Sequence, residues 1–149
     1  MTPTKVNTHS PADIVRYWLI QDGHGTLPTN HGTWPISVGS EQDATDNTLT
    51  VYNTGGTNDG RVMQGEKQGL EGVQVQIRAT TEPVGWAKAR SIQKAMEDAL
   101  DEYINVNGTP YSIGNFARIG DVLPLNQQKP QSSRLIYVVN AVVNVVELT

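Results

Sequence analysis

Gly72-Val73-Gln74-Val75-Gln76-Ile77-Arg78-Ala79-Thr80 decides the fold. Along an extended chain Val73, Val75, Ile77 and Ala79 project to one side, and Gln74, Gln76, Arg78 and Thr80 to the other. This alternation predicts a strand from Val73 to Thr80 with one face on a core and the other toward water or a partner. Immediately downstream the period changes. Pro83 opens a helix predicted to reach about Tyr103, because Ala89, Ile92, Met96, Ala99, Leu100 and Tyr103 share one arc at about 100° per residue.

Upstream, Ser10-Pro11-Ala12-Asp13 starts another helix. Ser10 can cap, Pro11 suits the first helical position, and Asp13 complements the positive helix end. Ile14, Val15, Trp18 and Leu19 follow at helical spacing, and Gly23 and Gly25 stop the helix near Asp22. The stretch Gly23 to Thr33 is a loop, Trp34 to Val38 a short strand, and Gly39 to Asn47 is turn-like. Thr48 to Thr54 alternates Leu49 and Val51 against Thr48, Thr50 and Tyr52, as a half-buried strand does. Glycines at 55, 56, 60, 65, 69 and 72 then mark a long loop from Gly55 to Gly72. Loops of that length in compact domains usually serve function. It is expected to be mobile in the free subunit and to order on contact, with Val62, Met63 and Leu70 as apolar anchors.

Downstream, Asn107-Gly108 marks a turn. Tyr111 to Ile113 and Phe116 to Leu123 read as strands, Pro124 to Ser133 as a loop, and Arg134 to Leu148 as a long closing strand. The order predicts an α+β fold, a mostly antiparallel β-sheet with two main α-helices packed on one face. With 149 residues, the chain is expected to form a single domain over 1–149 that buries roughly 68 to 70% of its unfolded surface. The sequence holds 16 Val, 9 Ile and 15 Thr against one Phe, so sheet should dominate the core.

Composition narrows function. With no Cys, thiol catalysis, thiolate zinc sites and disulfides are excluded. A net charge of −4 argues against a nucleic-acid binder, which normally carries a basic surplus. No apolar run approaches the ~18 residues of a membrane span, and MTPTKVNTHS lacks a signal-peptide core, so a cytoplasmic, membrane-free product is expected.

Chemical motifs are scarce. His24 and His31 share a loop with Asp22, but their spacing fits no short helix or hairpin pairing of metal ligands, and solvated histidines are the plainer reading. Gly55-Gly56-Thr57-Asn58-Asp59-Gly60 follows a strand but lacks the terminal Lys and Ser or Thr of a phosphate loop. No Ser sits in a Gly-x-Ser-x-Gly elbow. Neither enzyme activity nor any cofactor or metal is therefore expected.

Two features point to assembly instead. Arg90, Lys94, Glu97, Asp98 and Asp101 fall within about 100° of one another on the second predicted helix, basic first and acidic last, against the preference of the macrodipole. Either they form a solvated face, or they complement another copy of the chain. In the C-terminal strand, Leu135, Tyr137, Val139, Ala141, Val143 and Val145 line one face. Ile136, Val138, Val142, Val146 and Leu148, interrupted by Asn140 and Asn144, line the other. Only two clear helices are available to cover the sheet, so either the second face packs inside this domain or a neighbouring subunit covers it, since a bare apolar face is an aggregation site.

Three of these segments, Thr48-Leu49-Thr50-Val51-Tyr52-Asn53-Thr54-Gly55-Gly56, Gly72-Val73-Gln74-Val75-Gln76-Ile77-Arg78-Ala79 and the helix bearing Ala87 and Leu100, resemble the tail terminator (tail completion, minor capsid) proteins of long-tailed bacteriophages. That family typically shows a valine, tyrosine, aspartate or asparagine, threonine, glycine, glycine turn, then a strand reading glutamine, valine, x, valine, arginine, then a helix. The likeness spans about Ser10 to Leu148, with Asn53 where Asp is common.

The resemblance implies a virion structural protein, an α+β subunit assembled in the host cytoplasm. It implies a hexameric ring that crowns the last tail-tube ring, halts tube growth and docks the head connector. The implied partners are further copies of the chain, the tail tube protein and the head-tail connector or neck protein, with DNA passing the lumen unbound. Weak phosphate affinity suits such a conduit, and some of Glu97, Asp98, Asp101 and Glu102 are expected to face the lumen or a neighbour's basic residues. The rival readings are a neck or head-completion protein, a tail-tube subunit, or a small α+β enzyme or ligand-binding domain. Tube subunits usually share a β-sandwich with a long hairpin loop, and an enzyme needs a convergent polar pocket.

Overall fold

A computed structural model of the chain describes residues 8–30, 32–40, 47–55, 57–61, 67–125 and 135–148. The elements are α1 (Pro11–Gln21), β1 (Ile36–Val38), β2 (Thr48–Asn53), β3 (Thr57–Arg61), β4 (Lys67–Ala79), α2 (Glu82–Asp98), β5 (Leu100–Val106), β6 (Thr109–Arg118), β7 (Leu123–Pro124) and β8 (Leu135–Glu147). The strands form one sheet in the order β1-β2-β4-β8-β6-β5, with β3 added on β4 and β7 on β8. Among the strand pairings of the described residues only β1–β2 is parallel. The fold is α+β, as the sequence pattern predicts.

The alternation in β4 sets the layers. Val73, Val75, Ile77 and Ala79 lie opposite Ala141, Val139, Tyr137 and Leu135 of β8, and Val75 and Ile77 also lie opposite Val51 and Leu49 of β2. Paired residues share a face, so three strands present one apolar surface, which both helices cover. Each fully buried Val or Ile there contributes about 1.5–3 kcal/mol.

The sheet also curves. α1 touches β1, β2 and β4 toward one edge and β5 at the other, whereas α2 lies over the middle strands β4, β8 and β6. Wrapped from both sides, α1 has Ala12, Ile14, Val15, Trp18 and Leu19 completely buried. Polar contacts tie it to β2 and to β5. The Ala12 amide donates to Asn53 of β2 at 2.9 Å, and the Trp18 indole N–H donates to the Glu102 carboxylate of β5.

Gly72 ties β2 to β4. Its carbonyl accepts from the Thr54 amide at 3.0 Å, and a Cβ there would stand 1.7 Å from the Gly55 carbonyl oxygen. Only glycine permits that approach, and Gly55 turns the chain at φ +81°.

Several boundaries differ from the sequence reading. The second helix stops at Asp98 rather than Tyr103: Ala99 is already extended, and Asp101 takes φ +50° at the start of β5. Leu100 and Tyr103 match the helical period but lie on that strand. The hairpin β5–β6 explains it, because Val106 pairs with Thr109 around a two-residue Asn107-Gly108 loop, both residues at positive φ. Such a turn needs a strand on each side, so Ile104 and Val106 belong to β5.

The Gly55 to Gly72 stretch is also not a loop where it is described. Thr57 pairs with Leu70 and Asn58 with Gly69, so β3 and the first part of β4 form an antiparallel ladder. Glycines carry no side-chain alternation, and they hid this strand while leaving its backbone hydrogen bonds intact. β6 is one strand with an irregularity between Ile113 and Phe116. It ends at Arg118, before a turn that leads into β7. Pro124 belongs to β7, and the rest of the predicted loop beyond Leu125 lies outside the described residues.

Candidate assembly surfaces

Among the described residues no three His, Asp or Glu side chains are grouped to hold a metal ion. His24 is nearly buried and its Nε2 lies 2.9 Å from the Asp22 carboxylate; His31 lies outside the described residues. No helix described is long and apolar enough to cross a membrane.

The charges on α2 separate into paired and unpaired. The Lys94 ammonium lies 3.3 Å from Asp98 one turn on, both strongly exposed. Glu97 reaches Arg118 of β6 at 3.1 Å, and Arg118 also meets Asp121 at 3.2 Å. Arg90 donates to the Gln93 side-chain Oε1 at 2.8 Å and, among the described residues, forms no ion pair. Asp101 stands on β5, not on the helix. Glu102, expected toward a lumen or neighbour, is instead half-buried and turned inward to Trp18. Its carboxylate satisfies the indole N–H, which buried Trp requires.

Of the proposed loop anchors, Leu70 is half-buried on β4, while Val62 and Met63 lie outside the described residues.

The structure adds exposed apolar groups that sequence reasoning missed. Leu100 and Tyr103 of β5 are 71% and 69% exposed, and Trp86 of α2 is 44% exposed with its ring edge toward Tyr137. Ile119, Leu123 and Leu125 around β7 are also exposed. Outside the helix layer, Tyr103 lies opposite Ser112 and Ser112 opposite Val146, giving a row across β5, β6 and β8. The two-faced reading of β8 holds in part there: Val146 is 56% exposed, yet Val138 is buried. The helical period assigned Leu100 and Tyr103 to a core; the Asn-Gly hairpin was the signal that could have placed them on a strand.

On the other flank of α2, the Lys88 ammonium lies 5.0 Å over the Trp34 ring. Burial there holds its pKa below the ordinary lysine value. At the sheet's far end the Tyr111 hydroxyl accepts from the His9 amide at 2.9 Å and donates to Glu147 at 3.2 Å. Burial raises its pKa above the usual tyrosine value of 10.0.

The geometry thus offers exposed apolar groups beside sorted charges. Against known families, the pattern described as bacteriophage tail terminator protein matches residues 19–147. The chain belongs to the bacteriophage tail terminator family. The match begins inside α1 and covers every strand and α2. Comparison with curated proteins finds no match. As a phage tail terminator the protein is a structural component of the virion, of a family whose work is done with other tail and head proteins.

Proposed function

We propose that the terminator assembles as a ring, hexameric in the family's manner, on the last ring of the tail tube. There it stops tube polymerisation and presents a docking face to the head connector. Family membership over residues 19–147 carries this reading. The exposed Leu100, Tyr103 and Trp86 support it as apolar groups that a neighbouring protein would cover.

The work is that of surfaces and not of catalysis. The α2 charges Arg90, Lys94, Glu97 and Asp98, with Asp101, and the anchors Val62, Met63 and Leu70, are proposed contacts to neighbouring copies, tube or connector. DNA passes the lumen without specific binding. The net charge of −4 suits that, since few phosphates would be neutralised and few counterions released.

Deletion of the gene in the parent phage tests the proposal. The expected outcome is tails of irregular or excessive length that fail to join filled heads. Normal-length tails joined to heads would overturn it.

A further inference from the structure

A closed ring of more than two identical copies needs two different patches on each copy, complementary to one another, because a self-complementary patch closes only a pair. Such a pair of patches sits at the two ends of α2. The helix has 17 residues, so its ends are separated by about 25 Å.

In its N-terminal half, Trp86 and Arg90 project from the same side. Trp86 is nearly half exposed, and among the described residues Arg90 has only the neutral Gln93 Oε1 as partner. At the C-terminal end stand Asp98, Leu100 and Asp101, with Leu100 almost bare. Trp86 thus has the cation Arg90 one turn on, with Glu82 one turn before it, and Leu100 has the carboxylates of Asp98 and Asp101 beside it, Asp98 sharing its charge with Lys94.

Helix stability does not account for the arrangement. Glu82 in the first turn suits the helix dipole, but the last turn is acidic and holds no base, which costs a helix stability. The Lys94–Asp98 pair has the weaker orientation and is exposed on both sides. It can give up Asp98 to another cation at little cost.

We propose that successive copies meet head to tail through α2, with Trp86 and Arg90 of one copy against Leu100, Asp98 and Asp101 of the next. The proposal rests on the ring reading above and names the surface that closes the ring. Apolar contact of indole on leucine excludes water from the Arg–Asp pairs, where charge pairing is stronger than at an open surface.

The test is complementation of a phage lacking its own terminator gene by plasmid-borne protein, read as yield of infectious particles and as tail length. The acidic end is changed by D98K with D101N, asparagine being at ease at the positive φ of position 101; the basic end is changed by R90E. All three positions are exposed, and circular dichroism melting verifies that each variant folds like the parent.

Each variant alone should lower particle yield at least ten-fold. In the first both ends are basic, in the second both are acidic, so neither can pair with itself. Co-expressed, the two should alternate around an even-membered ring with every contact restored, and yield should recover to within a few-fold of the parent. Parental yield from either variant alone, or no recovery on co-expression, would overturn the proposal while leaving the ring reading intact. Failure of the parental protein itself to restore tail length would instead strike the ring reading.

Discussion

The two helices of this protein are built differently. α1 is enclosed by the curved sheet, buries five residues completely, and is tied to β2 by Asn53 and to β5 by Glu102. Its start is capped, with the Ser10 hydroxyl accepting from the Asp13 amide. α2 spans the middle strands from outside. It has no side-chain cap at Thr81, and Trp86, Arg90, Lys94 and Asp98 stand in solvent. An enclosed helix is selected for packing. α2 keeps one face in solvent, and sorted charge and exposed aromatic surface lie there.

The comparison can be broken most sharply at the two tryptophans. Trp18→Ala removes a fully buried ring stacked near Phe116 and should cost about 3–5 kcal/mol in denaturant unfolding. Trp86→Ala should cost about 1–2 kcal/mol, because nearly half of that residue is already in water. Equal losses would show that α2 is packed as tightly as α1.

Where α2 does touch the core it leaves no room. A Cβ on Gly85 would lie 2.6 Å from the Tyr137 ring, so Gly85→Val should destabilise by about 1–3 kcal/mol through overpacking, measurable by thermal melting. The caps give a smaller contrast. Ser10→Ala should cost about 1 kcal/mol, whereas Thr81→Ala should stay within about 0.5 kcal/mol, since no hydrogen bond is lost there. At the foot of α2, Leu100→Ala should also leave stability within about 0.5 kcal/mol while weakening assembly on tails.

The subtlest difference is in alkaline solution. The buried Tyr111, whose hydroxyl holds the chain entering α1 through the His9 amide, has its pKa raised above the unfolded value of 10.0. A raised pKa means the folded state keeps a proton that the unfolded state has lost. Its contribution is therefore complete below pH 10 and is lost as pH rises through the folded value. Unfolding free energy measured from pH 9 upward should fall less steeply in Tyr111→Phe than in the parent.

Much of this was legible along the chain. Ser10-Pro11 announced α1, the alternation of Val73 to Ala79 announced the inner face of β4, and the apolar run from Leu135 announced β8. The missed elements share a cause. Leu100 and Tyr103 fit a helical period by spacing, but the Asn107-Gly108 hairpin recruits their segment into the sheet, and pairing with β6 outweighs a few tenths of a kcal/mol of helix propensity per residue. Glycines erased the period of β3 and early β4, which the backbone pairs as a ladder all the same. Of the charges read onto one helix face, Arg90, Lys94, Glu97 and Asp98 are exposed on α2, and Asp101 lies on β5. Trp86 and Leu100 were not recognised, because exposure is not a property of residue type.

Local chemistry by itself determined where helices begin, which strand faces are apolar, and that no thiol is present. Those features depend on neighbours a few residues apart. Only the tertiary structure decided that Glu102 turns inward to Trp18 while Asp101 beside it stays in water, and that Leu19 is buried while Leu100 is bare. The reason is that the sheet closes around α1 through contacts between distant segments, and the area it covers is set by strand order and curvature, which no local spacing encodes.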